Sequence, residues 1–469
     1  MTIYIRLLPF LVLSSLAVAL NDWTKACLNG ECSYDVAATS LYISGSPTAV
    51  SDLTSAAGWE ILECDANSTA QDIRAVCADP TASCEHLFQG GAVGTIVRLP
   101  ENCTAMPFAR VAKVWDHENQ TRDMRRLGRF YTPRASTNVK GISLDTNFSA
   151  IDVSQNGNVS FVIRGSDDTQ DRRRTAVVED NFTTFNHTLT SDPATITFDN
   201  QTILLDASVP AVSIDGNSVT GEVQIAVTPH VDVTVQLGVG VAGTLVPPKL
   251  TELGLVTNVN GKLDGTLQLN ASGTGTFTTG SIPLFQIGIP GLDIPGILSV
   301  GPTFHINAKA TATVDVGVGL DVGFEFSADN LELYFPPAST SSSGDISNGQ
   351  NTAQVNLLSS PNVTSNSTLT LDLIPGISFG ISAFDGVSDA SVSLNLDNFV
   401  EVDLVLDSNG DSSSNSTSNG TESAVAGSVN VEGGFNVVAA ADATLFGLLD
   451  DTTSVTLFSK TFELFQDNF

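Results

Sequence analysis

The sequence predicts a mainly β protein in which a small disulfide-rich N-terminal domain is followed by an elongated antiparallel β-sandwich or coiled-sheet domain, or by two of them. Two observations lead to this fold class. From Ile142 onward, apolar and polar residues alternate over long stretches, and helical periodicity is nearly absent. All six cysteines lie between Cys27 and Cys103, a distribution typical of a small domain that disulfides stabilise.

Three long runs carry the alternation. The first follows odd positions from Val223 to Leu245, the second continues without a break from Ile306 to Phe326, and the third extends from Val425 to Leu445. Such a pattern is typical of strands with one buried and one solvated face. As a single strand, the second run would be about 70 Å long. We therefore expect bends, bulges or long coiled hairpins within these runs.

Composition divides the chain into six segments. The linker among them is rich in Ser, Gly and Asn, and the two β regions that flank it either pack as one domain or fold separately. Within the N-terminal domain, residues 70–76 are predicted to form a short helix and residues 94–98 a strand. In chain order, the segments are a signal peptide (1–19), a disulfide-stapled domain (20–120), a basic connector with strands (121–175), a first β region (176–336), a linker (337–354) and a second β region (355–469).

The first residues have the pattern of a secretory signal peptide. Arg6 precedes a short apolar stretch, and Ala17-Val18-Ala19 matches a cleavage site. No later stretch has the roughly 18 consecutive apolar residues of a membrane-spanning helix. The last residues also lack the hydrophobic tail of a lipid-anchor signal. We expect an extracellular, secreted protein without a transmembrane segment, which is either released or retained in the cell wall.

A secretory route predicts disulfides and glycans. Three disulfides of open connectivity are expected, because the cysteine spacing lacks the C-x-x-C pairs of a zinc site. N-x-S/T sequons predict glycosylated surface positions, although the sequon at Asn102 is doubtful because it contains a cysteine. The cysteines are Cys27, Cys32, Cys64, Cys77, Cys84 and Cys103, and the predicted glycosylated residues are Asn67, Asn119, Asn147, Asn158, Asn181, Asn186, Asn200, Asn270, Asn362, Asn366, Asn415 and Asn419.

The chain is strongly acidic. Its formal net charge is −31, from 51 acidic and 20 basic residues, and most of the acidic excess follows residue 174. This charge argues against nucleic-acid binding and against binding to anionic membranes. Two short basic runs are either exposed loops or sites where secretory proteases cut the chain, after Arg126 and after Arg174.

Several short motifs stand out in the N-terminal domain and the first β region. They are Cys32-Ser33-Tyr34-Asp35, Gly58-Trp59-Glu60-Ile61, Arg98-Leu99-Pro100-Glu101, Ile287-Gly288-Ile289-Pro290-Gly291-Leu292, Ile294-Pro295-Gly296-Ile297 and Ser299-Val300-Gly301-Pro302. With these motifs the chain resembles a family of secreted fungal proteins of unknown function, which combine a Cys-rich N-terminal module with a β-rich domain. The resemblance covers most of the mature chain. It implies fungal origin and secretion, and it brings no catalytic or binding residues.

No catalytic or metal-binding residue is assigned, and no cofactor is expected. Residues Gly376 to Gly380 match G-x-S-x-G, but that nucleophile motif requires a strand–turn–helix context and a later histidine, whereas the last histidine is His305. The five histidines lack the spacing of a metal site. The many carboxylates leave a hydrolase open, since glycoside hydrolysis needs only two facing acids.

The strongest remaining feature is the apolar face of the second run. It forms either the interior of a sandwich or the wall of a lipid-sized cavity. The leading hypothesis is a secreted, non-enzymatic structural or interaction protein of the fungal cell surface or wall, whose partner is a cell-wall polysaccharide or another surface protein. The alternatives are an apolar-ligand (lipid) binding protein and a carbohydrate-active hydrolase. The face consists of Val314, Val316, Val318, Leu320, Val322, Phe324 and Phe326.

Overall fold

The computed structural model describes most of the chain. The predicted signal peptide lies outside the described residues, and so do Arg126, Arg174 and Val316 and the asparagines Asn181, Asn186, Asn362, Asn415 and Asn419. The described residues are 21–36, 39–79, 83–103, 105–121, 138–165, 191, 193–214, 217–272, 275–314, 318–336, 343–349, 352–357, 365–407, 426–441 and 454–468.

Within these ranges the chain forms 24 strands and a few short helical turns. Helix α1 spans Val153–Asn156, and 3-10 turns span Ser55–Ala57, Cys84–Phe88 and Phe148–Ala150. In chain order, the strands are β1 (Glu31–Val36), β2 (Thr39–Ser44), β3 (Val50–Asp52), β4 (Trp59–Glu63), β5 (Gln71–Cys77), β6 (Ile96–Arg98), β7 (Phe108–Asp116), β8 (Lys140–Asp145), β9 (Val159–Gly165), β10 (Ala194–Asp199), β11 (Thr202–Ile214), β12 (Asn217–Val246), β13 (Pro248–Ala271), β14 (Gly275–Thr278), β15 (Ile282–Gly288), β16 (Leu292–Ile294), β17 (Leu298–Val314), β18 (Val318–Phe335), β19 (Ser343–Asn348), β20 (Thr352–Leu357), β21 (Ser365–Ala383), β22 (Ser388–Asp407), β23 (Ala426–Ala441) and β24 (Ser454–Asn468).

The described strands form three sheets, which confirms the predicted mainly β fold class. The front sheet has the order β1-β2-β9-β12-β13-β18-β19, with β10 and β11 also paired to β12 and β20 paired to β18. The back sheet has the order β14-β17-β21-β22-β23-β24, with β15 and β16 also paired to β17. The N-terminal sheet has the order β3-β6-β7-β8-β5-β4. Only its β3–β6 pair is parallel among the described pairs.

The front and back sheets pack face to face around one apolar core. Its buried side chains come from β12, β13 and β18 on one side and from β17, β21, β22 and β23 on the other. The alternation explains this arrangement, because Val223, Val231 and Leu245 of β12 are buried while His230 and Asp232 are exposed. The two predicted β regions therefore share a single core.

The second alternating run is divided between the two sheets. Its first part lies in β17 of the back sheet and its last part in β18 of the front sheet. The apolar residues keep the same parity on both sides, since Ala310, Val314, Val318 and Phe326 are all buried. The run therefore faces one core from two directions and does not form the single long strand that its pattern allows.

Contacts between edge strands join the two sheets along both long sides. On one side, the rings of Phe198 in β10 and Phe285 in β15 have centroids 5.0 Å apart. On the other, Lys460 of β24 donates from Nζ to the backbone oxygen of Ile346 in β19 at 2.6 Å and lies 3.2 Å from Asp345 Oδ1. Strand β19 and the start of β20 fall within the segment predicted as a linker, and both strands pair with β18.

The N-terminal residues contribute to two sheets. Strands β1 and β2 extend the front sheet through β9, while β3 to β8 form the N-terminal sheet with a core of its own. The predicted helix at residues 70–76 is wrong, because Gln71–Cys77 forms β5 between β4 and β8. Its buried residues Ile73 to Val76 are consecutive, as expected of a strand covered on both faces.

Two disulfides form in the N-terminal part of the chain. They join Cys27 to Cys32 and Cys77 to Cys84. The third disulfide that the cysteine count predicts is not formed. The two cysteines left for it, Cys64 and Cys103, are both free thiols. Burial, followed by the neighbouring Cys64 thiol, raises the pKa of Cys103. The two remaining thiols therefore lie beside each other, one exposed and one buried.

A buried ion pair connects the strands of the N-terminal sheet. Arg98 of β6 donates from Nη2 to Asp52 Oδ2 of β3 at 2.7 Å, and the two residues are 3% and 0% exposed. Asp52 also accepts the backbone N–H groups of Thr54 and Cys27. The Arg98 guanidinium lies 5.1 Å from the ring centroid of Trp23. Each charge is thus matched inside a low-dielectric environment.

Replacing Arg98 with Met is expected to lower the free energy of unfolding by about 3–5 kcal/mol, because the Asp52 carboxylate would stay buried without its partner. Lys140→Met is the matched control. The Lys140–Asp116 pair is partly exposed, and such pairs contribute about 0–1 kcal/mol. Urea unfolding measures both variants, and equal losses in the two would contradict this account of Arg98.

Candidate functional site

The apolar face of the second run lies inside the sandwich. Every described member of this face is at most 4% exposed. The face packs on the opposite sheet, as the rings of Phe326 in β18 and Phe435 in β23 show, with centroids 4.7 Å apart and nearly perpendicular planes. The face therefore forms part of the core between the two sheets.

A cavity of about 50 Å³ lies in this core between the central strands of the two sheets. Lys262 and Ser327 of the front sheet also line it, and Lys262 is exposed to solvent. There, Lys262 forms an ion pair with Glu325 at 2.8 Å. The walls are mainly hydrocarbon, and they include Val235, Val259, Phe304, Phe326, Ile377 and Phe435.

The backbone at two positions contributes to this gap in the packing. The register of β13 against β18 shifts between Val259 and Gly261, and Gly261 has a φ of +143°. A Cβ at Gly261 would collide with the backbone oxygen of Asp232, so only glycine fits this bulge. Across the cavity, Pro375 of β21 has no N–H to donate to a neighbouring strand.

One polar side chain is buried at the cavity. Asn398 of β22 is 2% exposed and lines the cavity. Its neighbours Leu396 and Val400 at alternate positions are also buried in the core. Neither Oδ1 nor Nδ2 of Asn398 has a hydrogen-bond partner among the described residues. A buried amide without partners destabilises a fold, so its presence calls for an explanation.

A second cavity of about 210 Å³ follows along the same strands. Leu237, Pro302 and Phe379 line it, and each lies two residues beyond a residue that lines the first cavity. Two residues of a strand correspond to roughly 7 Å, so the two cavities are neighbours in the space between the sheets.

The second cavity borders one of the sequence motifs. Pro290, Gly291 and Leu292 line it, and a Cβ at Gly291 would collide with the backbone oxygen of Val300 in β17. The motif therefore places a loop directly against the edge of the back sheet. Facing it, β12 pairs with β10 up to Val235 and with β9 from Val241, and the cavity adjoins the stretch between these two pairings.

The outer face of the back sheet carries a row of carboxylates. Glu401, Glu432 and Glu463 are directly opposite one another on β22, β23 and β24. Adjacent strands are about 4.8 Å apart, so these like charges repel each other. Partial desolvation, followed by the negative charges of Asp403, Glu432 and Asp372, raises the pKa of Glu401.

A second carboxylate on β22 has the same kind of environment. Burial, followed by the charge of Asp372, raises the pKa of Asp397, and the ammonium group of Lys309 opposes this shift. Lys309 is itself 3.6 Å from Asp372. The acidic outer face thus works against the stability of the fold, and local features of this kind are often found where a protein binds something.

The G-x-S-x-G motif lies inside strand β21 and not at a turn. Gly376 is opposite His305 of β17 and Asn395 of β22, so the motif is paired on both sides. It therefore lacks the strand–turn–helix context of a nucleophile elbow. In the part of the chain that the structure describes, no group of three His, Cys, Asp or Glu side chains could hold a metal ion. The same residues contain no helix with the length and apolarity needed to span a bilayer.

The predicted glycosylation sites within the described ranges are all exposed. Asn270 lies on β13 of the front sheet and Asn366 on β21 of the back sheet, so glycans would have room on both large sheets. The doubtful Asn102 is exposed as well. The exposed sites are Asn67, Asn119, Asn147, Asn158, Asn200, Asn270 and Asn366.

Comparison of the chain with protein-family models, with curated proteins and with solved structures gives no match in any of the three.

Sequence reasoning missed both Asn398 and the carboxylate row. A signal for Asn398 is present, because it occupies an apolar position in the alternation of Leu394, Leu396 and Val400. The carboxylate row has no comparable signal. It depends on the register of three strands that are far apart in the sequence, and periodicity does not determine that register.

Glu401→Gln is expected to raise the melting temperature at pH 7. The pKa of Glu401 is higher in the folded than in the unfolded protein, so its charged form opposes folding. This penalty is complete above the raised pKa and vanishes as the pH falls to the usual Glu value of about 4.3. The melting temperatures of variant and wild type should therefore converge near pH 4. Thermal unfolding at both pH values measures this.

Glu222→Gln, at an exposed carboxylate of β12, is the matched control and should leave the melting temperature nearly unchanged at either pH. A Glu401→Gln difference that is the same at both pH values would show that charge repulsion is not its cause.

Proposed function

We propose that this chain is a secreted, non-enzymatic structural or interaction protein of the fungal cell surface or wall. The observation that carries the proposal is the length of the shared core. The front and back sheets pack along long strands, such as the 24 residues of β13 and the 20 residues of β22, which correspond to roughly 65–80 Å when extended. An elongated sandwich of this kind has long polar outer faces. Such faces suit an extended polymer as a partner better than a small substrate.

Features of the N-terminal part and of the surface support the secreted location. Disulfides form and persist mainly in oxidising compartments, and two of them are present. Every described sequon that the sequence predicts to be glycosylated has an exposed asparagine, as attachment of a glycan requires.

The charge of the outer face favours a cationic partner. The chain has a net charge of −31, and Glu401, Glu432 and Glu463 place one carboxylate on each of the three adjacent strands β22, β23 and β24, about 4.8 Å apart. Charge complementarity then favours a wall polysaccharide with regularly spaced ammonium groups, such as a glucosamine polymer, over neutral glucans. Such a polymer crossing β22, β23 and β24 would meet one carboxylate on each of these three strands.

The purified protein is expected to sediment with insoluble chitosan and to be released by salt, because screened charges attract each other less. The triple variant Glu401→Gln, Glu432→Gln, Glu463→Gln should bind on the order of tenfold more weakly. The triple variant Glu222→Gln, Asp232→Asn, Asp321→Asn removes the same charge from exposed positions of the front sheet and should bind like wild type. Sedimentation with chitosan, chitin and β-glucan measures the affinities.

Equal weakening in both triple variants would show that net charge and not the carboxylate row directs binding. A protein that binds none of the three polymers, and that a mild salt wash removes completely from isolated walls, would contradict the proposed function.

A further inference from the structure

We propose that the cavity between the sheets binds a neutral aliphatic alcohol, whose hydroxyl group pairs with Asn398 and whose hydrocarbon chain extends toward the second cavity. The proposal goes beyond the surface role, because it concerns the interior of the sandwich and depends on none of the residues of the outer face.

The side chain of Asn398 sets the chemistry of the polar group. It offers one acceptor and two donor hydrogens, and neither Oδ1 nor Nδ2 has a partner among the described residues. A hydroxyl group donates and accepts at once, so it satisfies both ends of the amide. A water molecule alone is a poor occupant, since a buried water normally makes about three hydrogen bonds and the walls near Asn398 are hydrocarbon.

The surroundings of the cavity disfavour a charged polar group. Lys262 is the cation among the residues that line the cavity, and it is already paired with Glu325 at 2.8 Å and with Asp264 at 3.6 Å. A carboxylate ligand would therefore enter an apolar space without a free counter-charge, against a protein of net charge −31. A neutral hydroxyl group avoids this penalty.

The two cavities together set the shape of the hydrocarbon part. The first, of about 50 Å³, is smaller than the cavity of about 150 Å³ that holds a benzene molecule, so it takes only the end of a ligand. The second, of about 210 Å³, lies further along the same strands and is lined by Leu237, Pro302 and Phe379. A ligand that reaches from one cavity to the other has to bend between the side chains that separate them, which favours a flexible unbranched chain over a rigid ring system.

Isothermal titration with 1-octanol tests the proposal on the full-length protein. Wild type should bind one equivalent of 1-octanol and should bind octanoate at pH 7 at least tenfold more weakly, because octanoate has a similar chain but a charged end. Asn398→Leu should lose on the order of tenfold in affinity for 1-octanol, the effect of about one buried hydrogen bond. Asn395→Leu, on the same strand but directed away from the core, should bind like wild type.

Three results would overturn the proposal. They are no saturable binding of 1-octanol to wild type, which would mean that the cavity holds solvent only; equal binding of octanoate and 1-octanol; and equal binding of 1-octanol by wild type and Asn398→Leu. If Asn398→Leu does not fold, the comparison of the two ligands on wild type decides alone. Loss of chitosan binding leaves this test unaffected, so the two proposals fail separately.

Discussion

The structure depends on the mutual burial of two apolar sheet faces. Neither the front nor the back sheet could be exposed alone, because each carries a continuous row of Val, Leu, Ile and Phe side chains on one face. The chain passes from β17 to β18 without changing the parity of its apolar residues, so both strands face the same interior. The closing contacts along the edges, the position of the cavities and the outward direction of the acidic side chains all follow from this pairing of faces.

Buried polar side chains occur in both parts of the molecule. In the N-terminal sheet, the buried charges of Arg98 and Asp52 pair with each other, although Arg98 Nε and His86 Nε2 have no hydrogen-bond partner among the described residues. In the sandwich, Asn398 is buried without a partner and the carboxylates of the outer face crowd one another. The stability of the sandwich therefore rests on its apolar interior, which is long enough to tolerate unfavourable polar positions. A binding site is most easily accommodated at such unfavourable polar positions, here Asn398 and the carboxylates of the outer face.

Much of the fold could be predicted from the sequence, because period-two alternation reports directly on which side chains face the core. The strands and the sandwich follow from it. The pattern does not tell on which sheet a strand lies, so the division of Ile306–Phe326 between two sheets could not be predicted. Composition also misled at residues 70–76, where neighbouring strands decide the conformation, and at residues 343–348, where a polar segment pairs with β18. Of the candidate site, Asn398 was visible as a polar residue at an apolar position, whereas the carboxylate row required the register.

Lys460 affects whether molecules of this protein associate through their sheet edges at high concentration. Strand β24 is the last strand of the back sheet, and the backbone groups on its outer side could accept a strand from another molecule. The register of β24 against β23 shifts twice, so the strand is irregular. The Lys460 side chain points toward β19 of the front sheet. An incoming strand would meet a bent edge with a fixed charge at its centre. The contact that joins the sheets thereby also discourages edge-to-edge pairing with other molecules.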